Sequence, residues 1–166
     1  ISDMLGLVDR IQVLDLFEAL MAGDVAGAVG RADAMYQSGA DPVVILQDLL
    51  ELSHWLTRLK AVPDGAAAAA VSDVERMRGS DIAARLAMPA LTRAWQMLLK
   101  GLNEARGAPS PIQALEMVLV RIAYAAELPS PAEMVRALRS GAEPDRPAAA
   151  ASAPATAPSA PEPTPA

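Results

Sequence analysis

The chain has 166 residues, with 14 basic and 20 acidic side chains, a net charge of −6 and a pI near 4.7. An acidic balance argues against a primary grip on phosphate backbones, which want a basic face. The absence of cysteine excludes disulfides, thiolate nucleophiles and Cys-ligated metals, and no apolar run reaches the roughly 20 residues of a membrane helix.

The length fits one domain. Hydrophobic residues make up 52% of the chain and aromatics 3%, so the apolar content is Ala, Leu, Val and Met, which form helices more readily than strands. The expected fold class is all-α, a compact bundle of six to seven helices with a disordered Ala/Pro-rich C-terminal tail. Residues 9–140 are expected to form the helical domain and 141–166 a linker. The opening on Ile1 points to a fragment, no signal peptide is visible, and the lack of cysteine fits a reducing cytoplasm.

In chain order, Asp9 can cap a first helix, Arg10–Ala22, with Gly23 as its stop. Leu14, Phe17, Leu20 and Met21 carry its 3–4 spacing. Asp24 caps a second, small-residue-rich helix that ends near Ser38 and Gly39. Its Gly27 and Gly30 cost roughly 1 kcal/mol each relative to alanine, so it should depend on packing. Asp41-Pro42 starts the third helix, with Ile45, Leu49, Leu52, Leu56 and Leu59 along one face and Leu46, Leu50 and Trp55 widening it. Pro63-Asp64-Gly65 ends it, and the Ala66–Ala70 run reads equally as loop or helix start.

Ser72 can cap a fourth helix through Leu86, with Gly79 a weak point inside it. A fifth begins at Pro89, shows the stripe Leu91, Trp95, Leu98 and Leu102, and ends at Gly107. The sixth opens on Ser110-Pro111, with Gln113 in the capping-box position. From Ala114 to Ala126, 11 of 13 residues are apolar, and only Glu116 and Arg121 interrupt. Such a helix belongs in the middle of a bundle or at a subunit contact. Ser130-Pro131 and Glu133 repeat the capping pattern for a short last helix through about Leu138. Period-two alternation is absent, so no sheet is expected. In residues 147–166, 15 of 20 are Ala or Pro, a composition that cannot offset its ordering entropy.

Chemical motifs are missing. There is no phosphate loop, no GxGxxG and no GxSxG. His54 is the single histidine and no carboxylates are spaced to join it on a metal, so it reads as a structural or solvent-facing helix residue. Asp48 and Glu51 share its helix, but nothing resembling a nucleophile or oxyanion site accompanies them. No catalytic, cofactor-binding or metal residue is therefore assigned.

The candidates are interface residues: Trp55, Leu59, Trp95, Leu99, Glu116, Val120 and Arg121. Core packing is the commoner use of a tryptophan, and interface anchoring the sharper one. Glu116 and Arg121, five apart, lie roughly 140° around the helix from each other and cannot pair well. Either both snorkel to solvent, or one or both cross a subunit contact. Arg76, Arg78, Arg85 and Arg93 form a local basic cluster, read as a solvated face with weak DNA contact as the alternative.

Five segments in succession resemble a known family: DMLGLVDR, LDLFEALMAGD, DLLELSHWLTRLK, ALTRAWQMLLKGLNEAR and ALEMVLVRIAY, the last before a Pro-rich stretch. The order is similar to the third, C-terminal collar domain of the gamma/tau subunit of the bacterial DNA polymerase III clamp loader, over about residues 3–128. That resemblance implies an oligomerisation module. Its partners would be other gamma/tau copies and the delta and delta-prime subunits, closing a five-part ring. It implies that ATP and Mg belong to an ATPase module upstream, of which residues 1–8 would be the end. The sliding clamp and primed DNA would be met only through the whole complex, without a membrane. It also implies that the tail resembles the linker to helicase- and polymerase-binding domains of the longer tau form. A generic helical-repeat adaptor is the alternative, and an enzyme with an unfamiliar site between helices is the third reading. A repeat of about 34 residues would mark the adaptor, and none is found.

Overall fold

The computed structural model describes residues 2–62, 72–127 and 131–141, with side chains from residue 9 onward, except at 131. Among these residues there are seven α-helices and no strand: α1 Ser2–Met21, α2 Val25–Gln37, α3 Pro42–Ala61, α4 Asp73–Arg85, α5 Met88–Gly107, α6 Pro111–Glu127 and α7 Pro131–Arg139. Helices α1–α6 belong to one compact unit, residues 1–130, and α7 to a second that starts at Pro131. In α7, Met134, Val135 and Leu138 are exposed. The Pro63-Asp64-Gly65 stop, the Ala66–Ala70 run, the Ser130 cap and the Ala/Pro tail from residue 142 lie outside the described residues.

The first boundary differs from the sequence reading. Helix α1 runs unbroken from Ser2, so Asp9 is an interior residue and not a cap. No proline interrupts residues 2–21, and the single Gly6 costs only about 1 kcal/mol, less than a break in an already nucleated helix. The next boundaries match their cap chemistry. Gly23 (φ 75°) ends α1 and Gly39 (φ 105°) ends α2. After each, the following N–H reaches back five residues, Asp24 to the Ala19 carbonyl (3.0 Å) and Ala40 to that of Met35 (3.0 Å). That closure needs a left-handed residue at the glycine position.

Asp24 accepts the Gly27 N–H at 2.9 Å, and Asp41 the Val43 N–H at 2.9 Å, with Pro42 opening α3. Ser72 forms a full capping box with Glu75. At the head of α6, the Ser110 carbonyl accepts the Ala114 N–H, as an N-cap carbonyl does.

The helices of the first unit close on themselves. Helices α1, α3, α5 and α6 form a circuit in which each packs on the next, and α3 also touches α6 across it. Helix α2 lies on α1 and α6, and α4 on α3 and α1. A helical-repeat array touches only its sequence neighbours. Here α6 returns to α1 and α2, which closes a bundle rather than extending a solenoid.

Inside sit Leu14, Leu16, Phe17 and Leu20 of α1, Ile45, Leu46, Leu49 and Leu56 of α3, Leu91 and Leu98 of α5, and Leu115 and Leu119 of α6, all essentially inaccessible. Each such side chain contributes roughly 1.5–3 kcal/mol relative to exposure. The α5 stripe departs from expectation at one place: Trp95 stays partly exposed, and Ala94, Gly101 and Ala105 complete the buried face. Small residues there let α6 approach closely. A Cβ on Gly101 would overlap the γ-carbons of Val118. Buried polar groups are paired: the Ser53 hydroxyl donates to the Leu50 carbonyl at 2.8 Å, and no buried side-chain N or O among the described residues lacks a partner.

Candidate interaction surface

The seven interface candidates fall into three places. Trp55 and Leu59 sit on the side of α3 that meets α4. The Trp55 indole and the Leu59 side chain lie over Gly79, occupying the space that a side chain on Gly79 would need. Leu59 is only 7% exposed. Both therefore join α3 to α4, and Gly79 is the notch that admits the indole rather than a weak point.

Trp95 is half-buried on α5 and meets His54 of α3, with ring centroids 5.9 Å apart and planes tilted by 51°. His54 is otherwise exposed. Leu99, one turn after Trp95, is 41% exposed.

Glu116, Val120 and Arg121 are on the outer half of α6. The buried face of that helix is Leu115, Val118, Leu119, Ile122 and Ala123. Turning away from it by helical spacing gives Met117, Val120 and Tyr124 at i, i+3 and i+7. Met117 is 56% and Tyr124 61% exposed, and Val120 is half-buried. Met117 and Tyr124 were not singled out from sequence. Eleven apolar residues in thirteen showed that α6 has more apolar surface than one core can use, but not which residues are the surplus.

Arg121 is committed within the chain. Its Nη2 lies 2.6 Å from Glu104 Oε2 on α5, and its Nε donates to the Met117 carbonyl at 3.3 Å. The hydrogen bond from Arg121 holds the Glu104 carboxyl below its ordinary pKa, and the same bond raises that of Arg121.

The arginine cluster read from sequence is dispersed. Arg78 meets Asp15 at 2.7 Å and Glu18 at 3.3 Å on α1. Arg85 meets Glu18 at 3.3 Å and Asp81 at 3.1 Å, and Arg76 meets Asp73 at 3.6 Å. Arg31 of α2 adds a 3.9 Å contact to Asp15. Arg93 lies elsewhere, beside Met21 and Ile122. Two of the three arginines of α4 are thus spent on α1, because acids at 15 and 18 meet bases at 78 and 85 where the helices cross. Sequence spacing within α4 could not reveal partners more than sixty residues away.

A cleft of about 210 Å³ lies between α1, α3 and α4, lined by Val13, Leu14, Leu52, Trp55, Arg10, Asp48, Glu51 and Glu75. Glu75, 5% exposed, is fully engaged. Its carboxylate accepts from the Ser72 N–H and Oγ, both at 2.9 Å, and lies 3.6 Å from Arg10. Burial, then the charges of Glu51 and Asp9, raises the Asp48 pKa. The described residues bring no three His, Cys, Asp or Glu side chains into a metal-holding group, and none of their helices is long and apolar enough to cross a membrane.

Residues 1–138 match the family model described as domain III of DNA polymerase III subunits gamma and tau. The chain belongs to this family. In this domain III, α1–α6 close into a helical bundle, the fold class that composition and periodicity predict. The chain is also similar to the DNA polymerase III subunit gamma/tau of Mycobacterium bovis and of Mycobacterium tuberculosis, at 37% identity over 123 residues. That match covers 72% of this chain and 21% of those proteins, so the chain spans about a fifth of the length of the curated relatives it matches.

Proposed function

We propose that this gamma/tau domain III is the self-associating collar of a clamp-loader subunit. In this reading it joins other gamma/tau copies and the delta and delta-prime subunits in the bacterial cytoplasm. It carries no catalytic site of its own; ATP and Mg act on a module outside this chain, and the sliding clamp and primed DNA are reached through the whole complex.

The observation that supports the reading best is the outer face of α6. Met117, Val120 and Tyr124 leave apolar surface on a helix that already fills the core with its other side. Contiguous exposed apolar surface marks interaction sites, and Met and Tyr are enriched at the centres of protein interfaces. Arg121, beside this face, is already paired with Glu104, so covering the face would not strand the arginine's charge.

Sedimentation equilibrium of the 166-residue chain tests this. The apparent mass should rise with protein concentration, and the rise should be lost in Met117→Asp/Tyr124→Asp. A chain that stays monomeric at every concentration and ignores delta and delta-prime would overturn the reading.

A further inference from the structure

The cleft between α1, α3 and α4 plays no part in the collar reading. Its lining is of two kinds. Val13 and Leu14 of α1, both core residues, give it an apolar floor together with the half-buried Leu52 and Trp55 of α3. Arg10, Asp48, Glu51 and Glu75 supply a polar edge. Its volume of about 210 Å³ is below the roughly 300–1,000 Å³ of sites for drug-sized molecules, so it suits a small ligand.

The edge is unbalanced, with three carboxylates against one base. Glu75 and Arg10 face each other at 3.6 Å, and the Ser72 cap takes the other oxygen of Glu75. That pair uses up the one cation. Asp48 and Glu51, one turn apart on α3, meet no base at ion-pair distance among the described residues. Asp48 is also half-buried. Burial, then the charges of Glu51 and Asp9, holds its carboxyl above the ordinary pKa, with Arg10 opposing. Loss of water and like charge both disfavour the carboxylate, and a cation beside it would offset both.

The apolar wall continues from this edge. Asp48 and Trp55 are seven residues apart, two turns along one side of α3, with Leu52 between them. An indole face attracts a cation more strongly than any other aromatic side chain. The geometry points to a binding site for a small organic cation with an apolar body, an amine carried on an aromatic or branched aliphatic group. The ammonium sits at the Asp48–Glu51 edge and the body lies along Leu52 and Trp55. A neutral solute of the same shape gains the floor alone, and an anion meets two carboxylates. A bare metal ion finds no group of three ligands among the described residues.

The test uses the 166-residue chain. Trp55 and Trp95 are its two tryptophans, so in Trp95→Phe the emission comes from Trp55. Phenethylammonium chloride should change that emission saturably. Phenylethanol, which has the same body without the charge, should bind about fivefold more weakly, the scale of one well-formed ion pair near the surface. Phenylpropionate should not bind. Asp48→Asn/Glu51→Gln should bring the amine down to the level of the alcohol and leave the alcohol unchanged.

A second readout needs no substitution and stands even if the double variant fails to fold. Linkage is reciprocal, so saturating amine should lower the pKa of Asp48 in carboxyl NMR of the parent chain, and the alcohol should not. The groups around Asp48, which are Asp9 and Arg10 of α1, Glu51 of α3 and Glu75 of α4, are the same in both arms. Equal binding of amine and alcohol would overturn the proposal, and so would a preference that survives the double variant. An amine that leaves both Trp55 and Asp48 unmoved would do the same. None of these outcomes bears on self-association.

Discussion

Gly101 of α5 lies so close to Val118 of α6 that the space for a side chain at 101 is filled by the valine methyls. The contact fixes how near the two helices come, and the Arg121–Glu104 pair bridges the same two helices. Gly101→Ala should therefore destabilise the chain by about 1–3 kcal/mol, the usual cost of overpacking. Urea unfolding measures it. Combining it with Val118→Ala should give a double variant more stable than the two separate losses predict. Simple additivity would mean that the helices are free to move apart.

Gly79 makes the same kind of demand on the opposite side of the bundle. Gly79→Ala should displace the Trp55 indole and destabilise by a similar amount, about 1–3 kcal/mol. In a Trp95→Phe background the emission of Trp55 should shift to the red. Unchanged emission would show that the indole does not depend on the notch.

The two glycines of α2 should part company. Nothing lies within 4 Å of a Cβ on Gly30, so Gly30→Ala should stabilise the chain by about 0.5–1 kcal/mol through helix propensity. A Cβ on Gly27 meets the carboxylate of Asp24, which accepts the Gly27 N–H. Gly27→Ala should gain less than Gly30→Ala or lose stability, because it disturbs the cap. Equal thermal shifts would contradict this.

Two carboxylates carry opposite pH dependence. Asp48 has a raised pKa in the folded chain, first from burial and then from Glu51 and Asp9. The folded state holds that proton to higher pH than the unfolded state, so this group lowers stability as pH rises through the raised value. Asp48→Asn should be more stable than the parent at neutral pH and indistinguishable from it below about pH 3, under the ordinary carboxylate range. Glu104 has a lowered pKa from its hydrogen bond with Arg121. Its contribution is present above the ordinary value and is lost as pH falls through the lowered one. Carboxyl NMR of Glu104 should move back toward the ordinary titration in Arg121→Gln.

Much of the helix order was readable because cap chemistry is local. Asp24, Asp41-Pro42 and Ser72 each sit within a few residues of the amides they satisfy, and Gly23 and Gly39 supply their own left-handed turns. Asp9 misled for the same reason: a cap residue looks alike inside a helix and at its start, and the helix continued through it. Side-chain fate was less legible because it is set by partners distant in sequence. Arg78 and Arg85 of α4 are neutralised by Asp15 and Glu18 from α1, Leu59 is buried under α4, and Arg121 finds Glu104 rather than Glu116. The apolar excess of α6 was visible as composition; its direction, through Met117 and Tyr124, required knowing where α1, α2 and α5 lie.

The bundle is also unevenly clothed. Helix α2 shelters the junction of α1 and α6, and α4 shelters that of α1 and α3, while α5 packs mainly on α3 and α6 and has no flanking helix among the described residues of the first unit. Its outward backbone thus has the thinnest cover in the circuit. Amides along that outer side should trade their hydrogens for deuterium sooner than those of α1, and they should slow most when copies join. The contrast would let exchange mass spectrometry follow assembly without altering a single residue.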